Sequence, residues 1–116
     1  MEARPDVNPA IFDAAVLAAV QRLIPSERVH AYLQDLDRDH RLLTATAATE
    51  TSLQSQAHKI GSQAGQLGLT RMSECARTLE NACRAGLAPA AALLQCRAAA
   101  DDIRLFALPA AGLPAD

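Results

Sequence analysis

The stretch LQSQAHKIGSQAGQLGL, residues 53–69, decides the fold class of this chain. Its apolar residues recur at spacings of four and three, which places them on one face of a helix. They are Leu53, Ala57, Ile60, Ala64 and Leu67. Gly68 follows the last of them and is typical of a residue that ends a helix. The pattern therefore predicts an amphipathic helix that begins near Thr49 and ends at Gly68.

The same spacing continues on both sides of this helix. The preceding helix, capped by Ser26 after Pro25, has the inward residues Val29, Leu33, Leu36, His40 and Leu43. The run TATAATET, residues 44–51, is typical of a turn. A following helix begins at Thr70, ends at Gly86 and has the inward residues Met72, Ala76, Leu79 and Cys83.

Two more helices are predicted towards the ends of the chain. Asn8 and Pro9 supply a cap and a first-turn proline for a helix that runs to about Leu23. Ala88 and Pro89 open a last helix that runs to about Leu108. Short turns favour antiparallel neighbours. We therefore predict an all-α fold, an antiparallel up-down-up-down four-helix bundle with an additional N-terminal helix packed across one end.

The composition supports one helical domain. The chain has 116 residues, of which 50% are hydrophobic and only 3% aromatic, so its core must consist mainly of small and aliphatic side chains. We assign residues 9–108 to the bundle, residues 1–8 to a flexible N-terminus and residues 109–116 to a flexible C-terminal tail.

Charge and apolar content exclude several classes of partner. The net charge of -2 with interspersed signs gives no basic face, which argues against a nucleic-acid partner. No apolar run approaches the roughly 18 residues of a membrane helix, and the N-terminus lacks the apolar core of a signal peptide. We expect a cytoplasmic protein without a membrane partner. The three cysteines, Cys75, Cys83 and Cys96, are expected to be reduced core residues.

One histidine is predicted to lie opposite the apolar face of the helix at residues 53–69. His58 lies about 140° from the centre of that face and should be exposed. An exposed histidine by itself is usually only a solvated residue. The same helix has two interior glycines, Gly61 and Gly65, each of which costs about 1 kcal/mol relative to alanine. Close approach of another backbone or of a partner's loop would explain them.

The segments AHKIGSQAGQLGL (57–69) and CARTLENACRAG (75–86) resemble histidine phosphotransfer (HPt) domains. The matching positions are Ala57, His58, Leu67, Gly68, Leu79 and Glu80. The resemblance implies that residues 9–108 form an HPt-like bundle on which His58 accepts a phosphoryl group from a receiver-domain aspartate and passes it to another receiver. It implies a phosphocarrier of a two-component phosphorelay rather than an enzyme, since no Gly-rich nucleotide-binding segment is present.

The resemblance also implies roles for the residues around His58. A neutral imidazole with a pKa of about 6.5 is a nucleophile at pH 7. Glu80 matches the position that accepts a hydrogen bond from Nδ1, although it would also pair with Arg77 or Arg84 at helical spacing. The family's Lys three residues after the histidine is Gly61 here, and its Gly four residues after is Ser62. Lys59, Ser62 or the partner would then have to meet the phosphoryl oxygens.

The expected partners are the receiver domains of response regulators or hybrid histidine kinases, bound by a monomer whose Gly61 and Gly65 allow the partner's approach. No cofactor or metal is expected in the chain, because Mg²⁺ would come from the receiver. Asp35, Asp37 and Asp39 do not share one helix face and should not form a metal site. The alternative function is an HPt-like adaptor or inhibitor that docks on a receiver or a histidine kinase without being phosphorylated.

Overall fold

The computed structural model describes residues 8–45 and 50–114, and all regular structure within these ranges is helical. The elements are α1 (Ala14–Gln21), α2 (Ser26–Ala45), α3 (Glu50–Gln66), α4 (Thr70–Arg84), α5 (Ala90–Ala98), a π-helical segment (Ile103–Ala107) and α6 (Leu108–Ala111). The predicted all-α fold is confirmed. Part of the predicted turn at 44–51, residues 46–49, lies outside the described ranges, as does the predicted helix start at Thr49.

Helices α2 to α5 form the predicted four-helix bundle. Helix α3 packs most extensively on α4, and α2 contacts both α3 and α5 while α4 contacts α5. The inward residues predicted for α2, α3 and α4 are all buried in one core. The four-three spacing therefore identified the correct face of each of these helices, because burial of apolar surface is the main favourable term in folding.

The turn between α3 and α4 fixes the pair of helices that carries the candidate site. Gly68 has a φ of 84°, a left-handed conformation that favours glycine. The N–H of Leu69 donates to the carbonyl of Ala64 at 2.9 Å, which is the closing bond of a Schellman cap. A Cβ on Gly68 would collide with the carbonyl oxygen of Asp13, so the residue also permits a close crossing of two chain segments.

The predicted additional N-terminal helix, α1, contacts α2, α3 and α6, but it begins later than the sequence suggested. Asn8 caps only a single turn, in which its Oδ1 accepts from the N–H of Ala10 at 2.9 Å. Helix α1 is capped instead by Asp13, whose side chain accepts from the N–H of Ala15. The reason is tertiary, because the N–H of Asp13 donates to the carbonyl of Gly68 at 2.7 Å and Phe12 is buried in the core.

The boundaries of α2 and of the last predicted helix also differ. Ser26 was expected to cap α2, but it is the first residue of that helix. The residue before it is Pro25, whose carbonyl accepts the first hydrogen bonds of the helix. The helix predicted to reach Leu108 ends at Ala98 and resumes as the π-helical segment. Between these two parts Asp102 is buried in an ion pair with Arg71 of α4. A local sequence pattern cannot predict this ion pair, because its two residues are far apart in the sequence.

The predicted C-terminal tail is corrected over the residues that the structure describes. Helix α6 includes Pro109, and Leu113 beyond it packs against the core. The Nε2 of Gln21 in α1 donates to the carbonyl of Ala111 at 3.1 Å. These contacts hold the segment against α1 and the core. Residues 115–116, and residues 1–7 of the predicted flexible N-terminus, lie outside the described ranges.

No helix in the described part of the chain is both long and apolar enough to cross a membrane.

Candidate functional site

His58 lies near the middle of α3 with its side chain 71% exposed, as its position on the helix predicted. Its neighbours along the chain, Ala57 and Ile60, are buried in the core and hold the helix in place. The imidazole ring is therefore carried on a rigid, packed element while its edge is open to solvent.

The Nδ1 atom of His58 forms a hydrogen bond with Oε2 of Glu80 at 2.8 Å. Glu80 belongs to α4, and its side chain is only 11% exposed. An ionised carboxylate has acceptors only, so Nδ1 must carry the hydrogen of this bond. In a neutral ring the lone pair then resides on Nε2. The pair thus leaves Nε2 as the ring nitrogen of His58 with a free lone pair.

Glu80 has a second partner on its own helix. The Nη2 of Arg84, four residues later, donates to the same Oε2 at 2.7 Å. The sequence suggested two kinds of partner for Glu80, the imidazole of His58 and a neighbouring arginine. In the structure the carboxylate accepts from both, and the arginine is Arg84.

An open cleft of about 290 Å³ lies beside the imidazole. Its lining residues are His58, Ser62, Arg77, Glu80, Asn81 and Arg84. The structure brings together three of the residues proposed from the sequence, His58, Ser62 and Glu80. Lys59 is exposed on α3 but is not among the lining residues.

Sequence reasoning left three residues of α4 out of the site. Arg77 and Arg84 lie three residues before and four residues after Glu80, so they share its helix face, and Asn81 lies four residues after Arg77 and three before Arg84. Once Glu80 had been placed beside His58, this spacing alone would have identified them as lining residues.

The two glycines of α3 face α4. Gly61 is buried, and its carbonyl accepts from Oγ of Ser73 at 2.7 Å. A Cβ on Gly61 would lie 3.5 Å from Cγ of Arg77, and a Cβ on Gly65 would lie 3.2 Å from Oγ of Ser73. Of the two explanations suggested by the sequence, close approach of a neighbouring helix matches these contacts, and approach of a partner at Gly61 and Gly65 stays a prediction. Close packing of α3 on α4 accounts for both residues.

The other residues considered from the sequence lie away from the cleft. His40 is buried, and burial lowers its pKa. Asp35 and Asp37 form ion pairs with Arg38 and Arg41 at 3.1 and 3.0 Å. Within the described ranges, no group of three or more potential metal ligands is placed so that it could hold an ion.

The cysteines behave as small core residues in the structure. Cys83 and Cys96 are buried, Cys75 is half-buried, and all three are free thiols. Burial raises the pKa of the Cys96 thiol to about 12, so this group stays protonated near neutral pH.

Comparison with known proteins finds a match to a protein family. No curated protein and no solved structure matches the chain significantly. The family model of the Hpt domain matches residues 26–106, from the first residue of α2 into the π-helical segment and thus over more than half of the chain. The matched region contains the whole bundle and the cleft with His58 and Glu80. The chain therefore belongs to the Hpt domain family, whose role is histidine phosphotransfer in two-component phosphorelays.

Proposed function

We propose that this protein is a phosphorelay carrier in which His58 accepts a phosphoryl group from the aspartate of one receiver domain and passes it to a second receiver. The observation that carries the proposal is the exposed imidazole whose Nδ1 is held at 2.8 Å by the buried carboxylate of Glu80. This arrangement leaves Nε2 free, rigidly positioned and open to a protein surface.

The transfer step follows from this arrangement. The Nε2 lone pair attacks phosphorus, the Nε2–P bond forms, and the bond between phosphorus and the aspartyl oxygen breaks with its electron pair returning to the aspartate carboxylate. The ring retains its Nδ1 hydrogen and becomes positively charged. Glu80 stabilises that charge through the hydrogen bond it already accepts. Transfer to the second receiver is the reverse of these bond changes.

The groups that interact with the phosphoryl oxygens come from both the receiver and the carrier. On the receiver side, the charge of the phosphoryl oxygens is offset by bound Mg²⁺. On the carrier side, Ser62 lies one turn beyond His58 and lines the cleft, where its hydroxyl is a donor for a phosphoryl oxygen. We assign Lys59 a smaller contribution, because only its flexible stem would bring its charge to the cleft. The protein acts as a monomer in this proposal.

The proposal is tested with a panel of phosphorylated receiver domains and the full chain. We expect acid-labile, base-stable label on the protein and none on His58→Gln, which should remain folded because the side chain is exposed. His30→Gln is the matched control, since His30 lies on α2 and is not among the residues of the cleft. Label retained on His58→Gln would place the acceptor elsewhere. Receiver binding without phosphorylation by any donor would favour the adaptor or inhibitor function.

A further inference from the structure

The cleft beside His58 contains an arginine that the hydrogen bonds described so far do not use. Arg84 is engaged with Glu80 at 2.7 Å. Arg77 lies on the same face of α4, one turn before Glu80, and lines the same cleft. Among the residues that the structure describes, Arg77 has no hydrogen-bond or ion-pair partner. Its positive charge is therefore available to a bound anion.

The position of Arg77 depends on the glycines of α3. Its Cγ lies 3.5 Å from the place of a Cβ on Gly61, and its Nη2 lies 3.9 Å from that of a Cβ on Gly65. The side chain thus lies across the α3 surface at the two positions where α3 has no side chain. A long side chain at position 61 would compete with Arg77 for this space.

A phosphoryl group on His58 would need this charge. A phosphoryl group on a side chain carries close to two negative charges and three acceptor oxygens. Glu80 is a negative charge at hydrogen-bond distance from the same ring, and Arg84 is already paired with it. A guanidinium is the side chain best suited to bind phosphoryl oxygens in a two-pronged geometry.

We propose that Arg77 of α4 binds the phosphoryl oxygens on Nε2 of phosphorylated His58, and so supplies from the neighbouring helix the cation that α3 lacks at Gly61. The inference rests on the proposed function, because it takes His58 as the phosphorylated residue. The exposed guanidinium turns from beside Gly65 towards Ser62 and His58 when the phosphoryl group is present. Ser62 contributes a neutral donor and Arg77 the charge.

The experiment phosphorylates the full chain without any receiver. With phosphoramidate as the donor, the Nε2–P bond forms while the P–N bond of the reagent breaks and ammonia leaves. The pKa of the phosphoryl group on His58 is then measured by ³¹P NMR titration in the parent, Arg77→Gln, Arg77→Lys and the control Arg22→Gln. Arg22 is an exposed arginine at the end of α1 and is not a lining residue of the cleft.

A guanidinium beside the phosphoryl group lowers its pKa, because it favours the dianion. We expect Arg77→Gln to raise that pKa, Arg77→Lys to restore most of the difference and Arg22→Gln to leave it unchanged. Transfer from a competent receiver should slow about tenfold in Arg77→Gln, since hydrogen bonds to charged groups are among the stronger ones. A merely structural role would not move the phosphoryl pKa.

A second variant tests whether a positive charge on α3 can replace the charge of Arg77 on α4. Gly61→Lys in the Arg77→Gln background should lower the phosphoryl pKa again, since it places a cation on α3 three residues after His58. An unchanged phosphoryl pKa and transfer rate in Arg77→Gln would overturn the inference, as would failure of phosphoramidate to modify His58. Failure of every receiver to transfer its phosphoryl group, with the titration as expected, would overturn only the relay function.

Discussion

At the scale of single residues, the orientation of His58 depends on one carboxylate. Glu80 is almost fully buried between α3 and α4, and its Oε2 accepts hydrogen bonds from both His58 and Arg84. The imidazole itself is exposed and has few packing contacts to fix its ring. The hydrogen bond therefore determines both the direction of the ring and the nitrogen that carries hydrogen.

Glu80→Ala should weaken phosphotransfer about tenfold or more, because a charge-assisted hydrogen bond is worth roughly 1.5–3 kcal/mol. The same change should mix the two tautomers of His58, which ¹⁵N chemical shifts of the imidazole report directly. Glu74→Ala is the matched control, since Glu74 is exposed on the same helix and is not among the residues of the cleft. A single Nδ1–H tautomer retained in Glu80→Ala would show that the carboxylate does not orient the ring.

At the scale of elements, the pair of helices α3 and α4 is the platform of the site. Three glycines shape it in different ways. Gly61 and Gly65 have helical backbone and allow α4 to approach, whereas Gly68 has a left-handed backbone and closes the turn. Substitution of these glycines by alanine should therefore change the free energy of unfolding differently at the three positions.

Gly68→Ala and Gly61→Ala form a matched pair for this element. A left-handed conformation costs a residue with a Cβ about 1–2 kcal/mol, and at position 68 that Cβ also collides with the Asp13 carbonyl. At position 61 a Cβ makes only ordinary contacts of 3.5–3.6 Å, and alanine gains about 1 kcal/mol of helix propensity.

We expect Gly68→Ala to lower the free energy of unfolding by more than about 2 kcal/mol, and Gly61→Ala to leave it equal or higher. Urea unfolding of both variants beside the parent protein checks this. Equal stability of the two variants would contradict the different roles of the two glycines.

At the scale of the whole molecule, the ends of the chain close the bundle. The rings of Phe12 and Phe106 stack with centroids 6.5 Å apart, which joins the segment before α1 to the π-helical segment. Arg71 at the start of α4 holds the buried Asp102 through two hydrogen bonds of 3.1 and 2.6 Å. This pair raises the pKa of Arg71 and keeps its charge at all ordinary pH values.

His40 makes the stability of the molecule depend on pH. Burial lowers its pKa below 6.5, while a hydrogen bond with the backbone of Cys96 and the charges of Asp37 and Asp102 partly oppose this, and Arg41 adds to it. Below pH 6.5 the unfolded chain therefore takes up a proton at His40 more readily than the folded protein does. Stability is fully present above pH 6.5 and is lost as the pH falls from there through the folded-state pKa.

The free energy of unfolding should fall between pH 7 and pH 5, by about 1.4 kcal/mol for each unit by which the folded-state pKa lies below 6.5. His40→Leu should remove this part of the pH dependence, and denaturant unfolding at several pH values measures it. An NMR titration of His40 in the parent protein provides an independent check. A folded-state pKa at or above 6.5 would contradict the prediction.

The sequence predicted most of the bundle because its information there is local and periodic. The four-three spacing in α2, α3 and α4 indicates which side of each helix is buried. Gly68 indicates the turn after α3, because that turn needs a left-handed backbone that favours glycine. The exposure of His58 followed from the same geometry. Its link to Glu80 came from resemblance to a family, since no local pattern relates two residues on different helices.

Only the tertiary structure decided which groups meet across elements. The late start of α1 reflects the bond between Asp13 and Gly68, and the break after α5 contains the buried partner of Arg71. The close contact at Gly61 was likewise visible only in the structure, because the sequence shows that a side chain is missing there but not which neighbour uses the space. That neighbour is Arg77, whose stem lies against Gly61 because α4 packs antiparallel and close to α3.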